Sequence, residues 1–219
     1  MFNFLSNPSV LITYIIILLT AFPVHEFSHA WVADRFGDDT PRVNGRLTLN
    51  PLAHLDPMGT IMMLLVGFGW AKPVPINPYA LQRRSSAAPM LVSLAGPMSN
   101  FLMAVIASIF FRVGLVSVGD INASTATFLP NLATFLETFI YINLLLMLFN
   151  LIPLFPLDGE KVLAYFLPPA GQQVLDNIRP YSSIILLVIV LVLPLLGINL
   201  LGSVLYPALN NITRFLIGV

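Results

Sequence analysis

Two histidines four residues apart enclose a carboxylate in the run His25-Glu26-Phe27-Ser28-His29. On a helix, positions i and i+4 share a face, so both imidazoles can reach one cation. The glutamate beside the first histidine can reach water on that cation and take its proton, which is the H-E-x-x-H arrangement of zinc hydrolases. Zinc lowers the pKa of a coordinated water toward ~7 and so makes hydroxide available at neutral pH. A catalytic zinc wants three protein ligands and an open position. Cysteine cannot supply the third, because the chain has none. Besides the remaining histidine, His54, the better candidate is Asp158, in the run Asn150-Leu151-Ile152-Pro153-Leu154-Phe155-Pro156-Leu157-Asp158-Gly159. An unpaired carboxylate at the end of a membrane span is costly, and a cation beside it removes that cost. Read alone, Asp158 is the N-cap of a helix that starts near Glu160 in a Pro-rich turn; read with the histidine pair, it is the third ligand.

The elements that must position these groups lie in a membrane. Of 219 residues, 57% are apolar and 9% charged, against about 25% charged in an ordinary soluble domain. That balance excludes a disordered chain. Ten basic against ten acidic residues leave no net charge to attract nucleic acid. Charge-free windows place spans at about 8–30, 86–111, 131–155 and 181–205, the third broken only by Glu137. The first window lacks a basic leader and a small-residue cleavage site, so it reads as a retained helix. Arg35, Arg42, Arg46, Lys72, Arg83, Arg84, Lys161 and Arg179 fall on one side, and Arg112 and Arg214 on the other. The excess of positive charge marks the cytoplasmic face and leaves both termini outside. The fold class is therefore a polytopic α-helical membrane bundle of about four helices, with residues 1–219 as one domain.

One segment fits no span. Met58 to Ala71 is apolar but only 14 residues long, and it leads into Lys72-Pro73-Val74-Pro75-Ile76-Asn77-Pro78. Prolines forbid a continuing helix there. The expectation over 58–78 is a membrane-associated β-hairpin or re-entrant element whose unpaired backbone could accept another strand. A loop on the membrane surface is the plainer alternative. Trp31 and Trp70 read as interfacial anchors.

Taken in order, His25 to His29, Ala95-Gly96-Pro97-Met98-Ser99-Asn100 and Asn150 to Gly159 resemble the motifs of the site-2 protease family, the intramembrane zinc metalloproteases of peptidase family M50. The resemblance covers the whole chain. It implies one zinc ion held by His25, His29 and Asp158, with Glu26 activating water. It also implies that Asn150 donates a hydrogen bond to the substrate or the oxyanion. Only Val113 to Pro130 joins the second and third spans, so the chain resembles the compact branch without a PDZ domain. That branch also has the run Asn50-Pro51-Leu52-Ala53-His54-Leu55-Asp56-Pro57-Met58-Gly59 and a hairpin thought to present substrate as an added strand. His54 is either an oxyanion donor near the zinc or a histidine supporting the Asn50-Pro51 and Asp56-Pro57 bends. Ser99 and Asn100 read as part of close helix packing around Gly96.

The expected reaction is hydrolysis of a peptide bond in a membrane-spanning protein or peptide, in the plasma membrane of a prokaryote. Expected partners are that substrate and the lipid bilayer, with no nucleic acid; a homo-oligomer is compatible with the sequence. The competing readings are a metal transporter or channel, which needs a polar path on both sides of the site, and an inactive scaffold relative, which should have a broken motif.

Overall fold

The computed structural model describes residues 8–66, 69–121 and 129–219. α1 (Pro8–Arg35) is followed by short helices α2 (Thr40–Val43), α3 (Pro51–His54), α4 (Pro57–Val66) and α5 (Pro78–Arg84). Then come α6 (Ala88–Arg112), α7 (Leu132–Asn150), α8 (Asp158–Phe166) and α9 (Pro169–Leu187). α9 continues through a π-helical turn (Val188–Val192) into α10 (Leu193–Leu195), and α11 (Leu200–Ile217) completes the chain. α1, α6, α7 and the continuous helix 169–195 are long and apolar enough to cross a membrane. The protein is a multi-pass helical bundle.

α6 is central. His25 and His29 of α1 meet Asn100 and Val92 of α6, so these helices run antiparallel. Asn100 also meets Asn143 of α7, and Ala107 and Phe111 pack with Ala133 and Leu136. α7 is thus antiparallel to α6 in turn. Lipid tails are as apolar as leucine, so association of such helices relies on close packing, and small residues permit it. Ala104 and Ala107 of α6 are such small residues, buried in one apolar cluster with Ile140 and Leu144 of α7. Arg112 Nε donates to the Leu216 carbonyl at 2.8 Å. The C-terminal end of α11 therefore sits at the α6 end remote from the histidines, beside the start of α7.

Several boundaries differ from those expected. α7 stops at Asn150 because Pro153 and Pro156 follow and the residue before a proline is driven out of the helical region. The last charge-free window is divided: Gly197 adopts a positive φ of 79°, and Asn199 caps α11 by accepting from Gly202 N–H at 2.9 Å. The segment 58–78 is half helical. Asp56 accepts from Gly59 N–H at 2.8 Å and starts α4, which has no proline after Pro57 to interrupt it. Residues 67 and 68 lie outside the described residues. Past them no helix forms up to Asn77, and Pro73, Pro75 and Pro78 keep Lys72, Val74 and Asn77 extended. The chain touches the α3–α4 junction through a single antiparallel bridge, Leu55 with Ala71. Among the described residues there is no strand ladder.

Candidate active site

α1 carries the first motif toward its C-terminal end. His25 lies ten residues before Arg35 and His29 six, or roughly 15 and 9 Å along the axis. Both imidazoles are buried, at 7% and 8% exposure. His25 Nδ1 lies 2.6 Å from Asn100 Oδ1. Asn100 Nδ2 donates to Asn143 Oδ1 at 3.0 Å, and Asn143 Nδ2 to the Phe139 carbonyl at 2.9 Å. This relay fixes which end of the Asn100 amide faces the imidazole. An amide oxygen only accepts, so His25 must carry its proton on Nδ1. His29 Nδ1 lies 2.6 Å from the Val92 carbonyl, and the same argument applies.

With both Nδ1 atoms protonated, the two Nε2 lone pairs converge. They are 3.0 Å apart, and Asp158 Oδ2 is 3.3 Å from each. Three acceptors at this spacing repel one another unless a cation, a proton or a metal ion, sits among them. Ligands of a tetrahedral ion with bonds of about 2.0–2.1 Å are themselves about 3.3 Å apart. The donor set, its spacing and the second hydrogen bond on each imidazole all fit zinc. Burial opposes a charge on Asp158, but when the cation is a proton the imidazolium of His29 beside it holds the carboxyl well below the usual carboxylate range.

Two glycines make the approach possible. A Cβ on Gly96 would stand 2.3 Å from His29 Nε2 and 2.6 Å from His25 Nε2. A Cβ on Gly159 would stand 2.2 Å from the Leu151 carbonyl oxygen, so the start of α8 packs directly on the end of α7. Asp158 thereby reaches the histidines although it is remote from them in sequence.

The remaining expected residues are distributed as follows. Glu26 is half-buried, and its Oε2 accepts from the Val74 N–H at 3.2 Å. Asn150 is half-buried and donates one Nδ2 hydrogen to the Leu146 carbonyl at 2.9 Å, which leaves its second hydrogen and Oδ1 for other partners. His54 is fully buried away from the convergent cluster, which consists of His25, His29 and Asp158. Its Nε2 lies 2.7 Å from the Thr48 carbonyl, and its own carbonyl accepts from Lys72 N–H at 2.8 Å. Asn143 stands in no motif, and Asn100, which the sequence places in the packing around Gly96, is a hydrogen-bond partner of His25. Their signal was present: amides within otherwise apolar spans need partners.

A profile of peptidase family M50 matches residues 13–193. The chain belongs to this family. It is 43% identical over 210 residues to "Putative zinc metalloprotease YwhC" of Bacillus subtilis (strain 168), covering 95% of this chain and 91% of the relative. Two Rip2 proteins carry the same description. That of Mycolicibacterium smegmatis is 31% identical over 193 residues, 85% of this chain and 70% of the relative. That of Mycobacterium tuberculosis (strain H37Rv) is 30% identical over 176 residues, 79% and 64%. No solved structure was found to match. The M50 chain is an intramembrane zinc metalloprotease, and the transporter and scaffold readings are not favoured.

Proposed function

We propose that His25, His29 and Asp158 hold one zinc ion and that Glu26 accepts the proton of the attacking water. The observation that carries this reading is the convergence of three acceptor atoms 3.0–3.3 Å apart, each imidazole fixed from behind. The bound ion supplies Lewis acidity and a low-pKa water. Glu26 then passes its proton to the leaving amine. Asn150, with a free N–H, orients the substrate carbonyl or stabilises the charge that develops on it. His54 is a loop-organising residue, as its bonds to Thr48 and Lys72 suggest.

The substrate is a membrane-spanning protein or peptide that must unwind locally, because a helical backbone hides its own carbonyls. Segment 58–78 acts as a re-entrant element with an extended arm. The Ile76 N–H and the carbonyls of Pro73, Val74 and Pro75 have no partner among the described residues, so this arm can pair with an unwound strand. The whole chain, 1–219, works as one domain in a prokaryotic plasma membrane, with the histidine end cytoplasmic and the termini outside, alone or as a homo-oligomer. Comparative membrane proteomics of cells carrying wild type or Glu26→Gln tests the reading. Single-span proteins or fragments should accumulate in the variant, and identical profiles would refute it.

A further inference from the structure

The extended arm is held at both ends by buried charges that the reaction does not use. Arg46 is 6% exposed and Asp38 1%. Neither forms an ion pair among the described residues. Buried charges without a counter-ion are expensive and persist only where hydrogen bonds satisfy them. Here each of the two charges places one such bond on the arm and one on the segment beside it. Arg46 Nη1 donates to the Lys72 carbonyl at 3.2 Å and to the Ala53 carbonyl. Asp38 Oδ2 accepts from Asn77 N–H at 2.6 Å, while its Oδ1 accepts from Thr40 N–H at 3.0 Å. Ile76 packs against the cluster of Ala33, Leu81, Ala88 and Val92.

Between these anchors the sequence leaves little choice. Pro73 and Pro75 have no N–H, and each keeps the residue before it extended. From Pro73 to Pro75, Val74 therefore offers the sole backbone donor, and that donor goes to Glu26 Oε2. We infer that Arg46 and Asp38 are positioning residues for Glu26. By clamping Lys72 and Asn77 they hold the Val74 N–H against one carboxylate oxygen, which leaves the other oxygen free for the proton of water. A glutamate side chain has three rotatable torsions, and this contact restricts them before substrate arrives. The inference rests on Glu26 as proton acceptor.

The test is steady-state cleavage of a single-span substrate by the full chain, purified with its zinc, in detergent. Arg46→Gln and Asp38→Asn should lower kcat about 10- to 100-fold with KM nearly unchanged, the scale of a small misplacement of a catalytic group. Zinc content should stay at the wild-type level, and Arg46→Lys, which can still donate to carbonyls, should recover much of the loss. Val74→Pro should show the same kcat defect and Val74→Ala should not. The Arg46→Gln/Val74→Pro double variant should be no worse than Val74→Pro alone, to within about twofold, because both act through one contact. Multiplying losses, a rise in KM in place of a fall in kcat, or lost zinc would overturn the inference. If Arg46→Gln does not fold, the Val74 pair decides, and equal kcat in its two variants refutes the clamp. Turnover in Glu26→Gln would instead remove the general-base reading itself, whatever the clamp variants do.

Discussion

Replacing Gly96 with alanine tests the centre of the site without touching a ligand. The new Cβ would lie 2.3 Å from His29 Nε2 and 2.6 Å from His25 Nε2, where ordinary contact begins at 3.4 Å. The shortfall on His29 is 3.4 − 2.3 = 1.1 Å. That room must come from rotating the imidazoles or moving α6. Neither is soft. Each ring is tied through Nδ1 to α6 itself, at Asn100 and Val92, so moving the helix drags the anchors with it. Metal–ligand distances tolerate about 0.2 Å, so a displacement near 1 Å exceeds the tolerance several-fold. Zinc affinity should fall by at least the roughly 10- to 100-fold seen when outer contacts of metal ligands are lost. Overpacking should cost about 1–3 kcal/mol of stability. The assay is zinc stoichiometry and substrate cleavage of the purified protein, with helix content by circular dichroism as the control. Helix content should persist while zinc and turnover collapse. A Gly96→Ala protein with full zinc and wild-type cleavage would refute the convergence of the two Nε2 atoms at α6.

Further outcomes follow from the same geometry. Glu26→Gln should retain zinc and lose at least about 100-fold in turnover, since an amide cannot take the proton; zinc analysis beside a cleavage assay checks both. Asp158→Ala should lower zinc occupancy sharply, and titration with a competing chelator reads the change; unchanged affinity would remove Asp158 from the ligand set. Asn100→Leu orphans His25 Nδ1 and Asn143 Oδ1 and should weaken zinc binding about 10- to 100-fold while leaving the ligands intact. Ile76→Pro removes a free N–H of the extended arm and should raise KM for a membrane-spanning substrate, whereas Ile76→Val, which keeps the N–H and the branched side chain in its cluster, should not; equal KM values would count against strand pairing.

The legible parts of this protein are those where one residue type has one physical use. His25 and His29 at i and i+4 announce a cation because no apolar packing role suits them, and Asp158, which alone reads as a helix cap, becomes a ligand candidate only beside that pair. The bundle was legible for the same reason, since 20 charged residues in 219 cannot clothe a soluble fold. Segment 58–78 was harder. Its length excluded a span and its prolines excluded a helix after Lys72, but nothing in the composition of Met58 to Val66 distinguished a strand from the helix that Asp56 initiates. The break at Gly197 was invisible because a glycine in an apolar run signals packing as readily as a turn.

Val74 shows what sequence could not supply. It lies in the segment whose unpaired backbone the sequence offers to another strand, and its N–H instead faces Glu26. Which edge of an extended arm is free depends on the rotation of the arm about its own axis. That rotation is set by contacts remote in sequence: Asp38 on Asn77, Arg46 on Lys72 and the Ile76 side chain in its cluster. The same holds for the Asn143–Asn100–His25 relay, which links three helices. In a membrane interior such amides must find one another, because water is not there to receive them. A polar side chain within an apolar span is therefore informative before its partner is known, and its usual partner is another such side chain on the neighbouring helix.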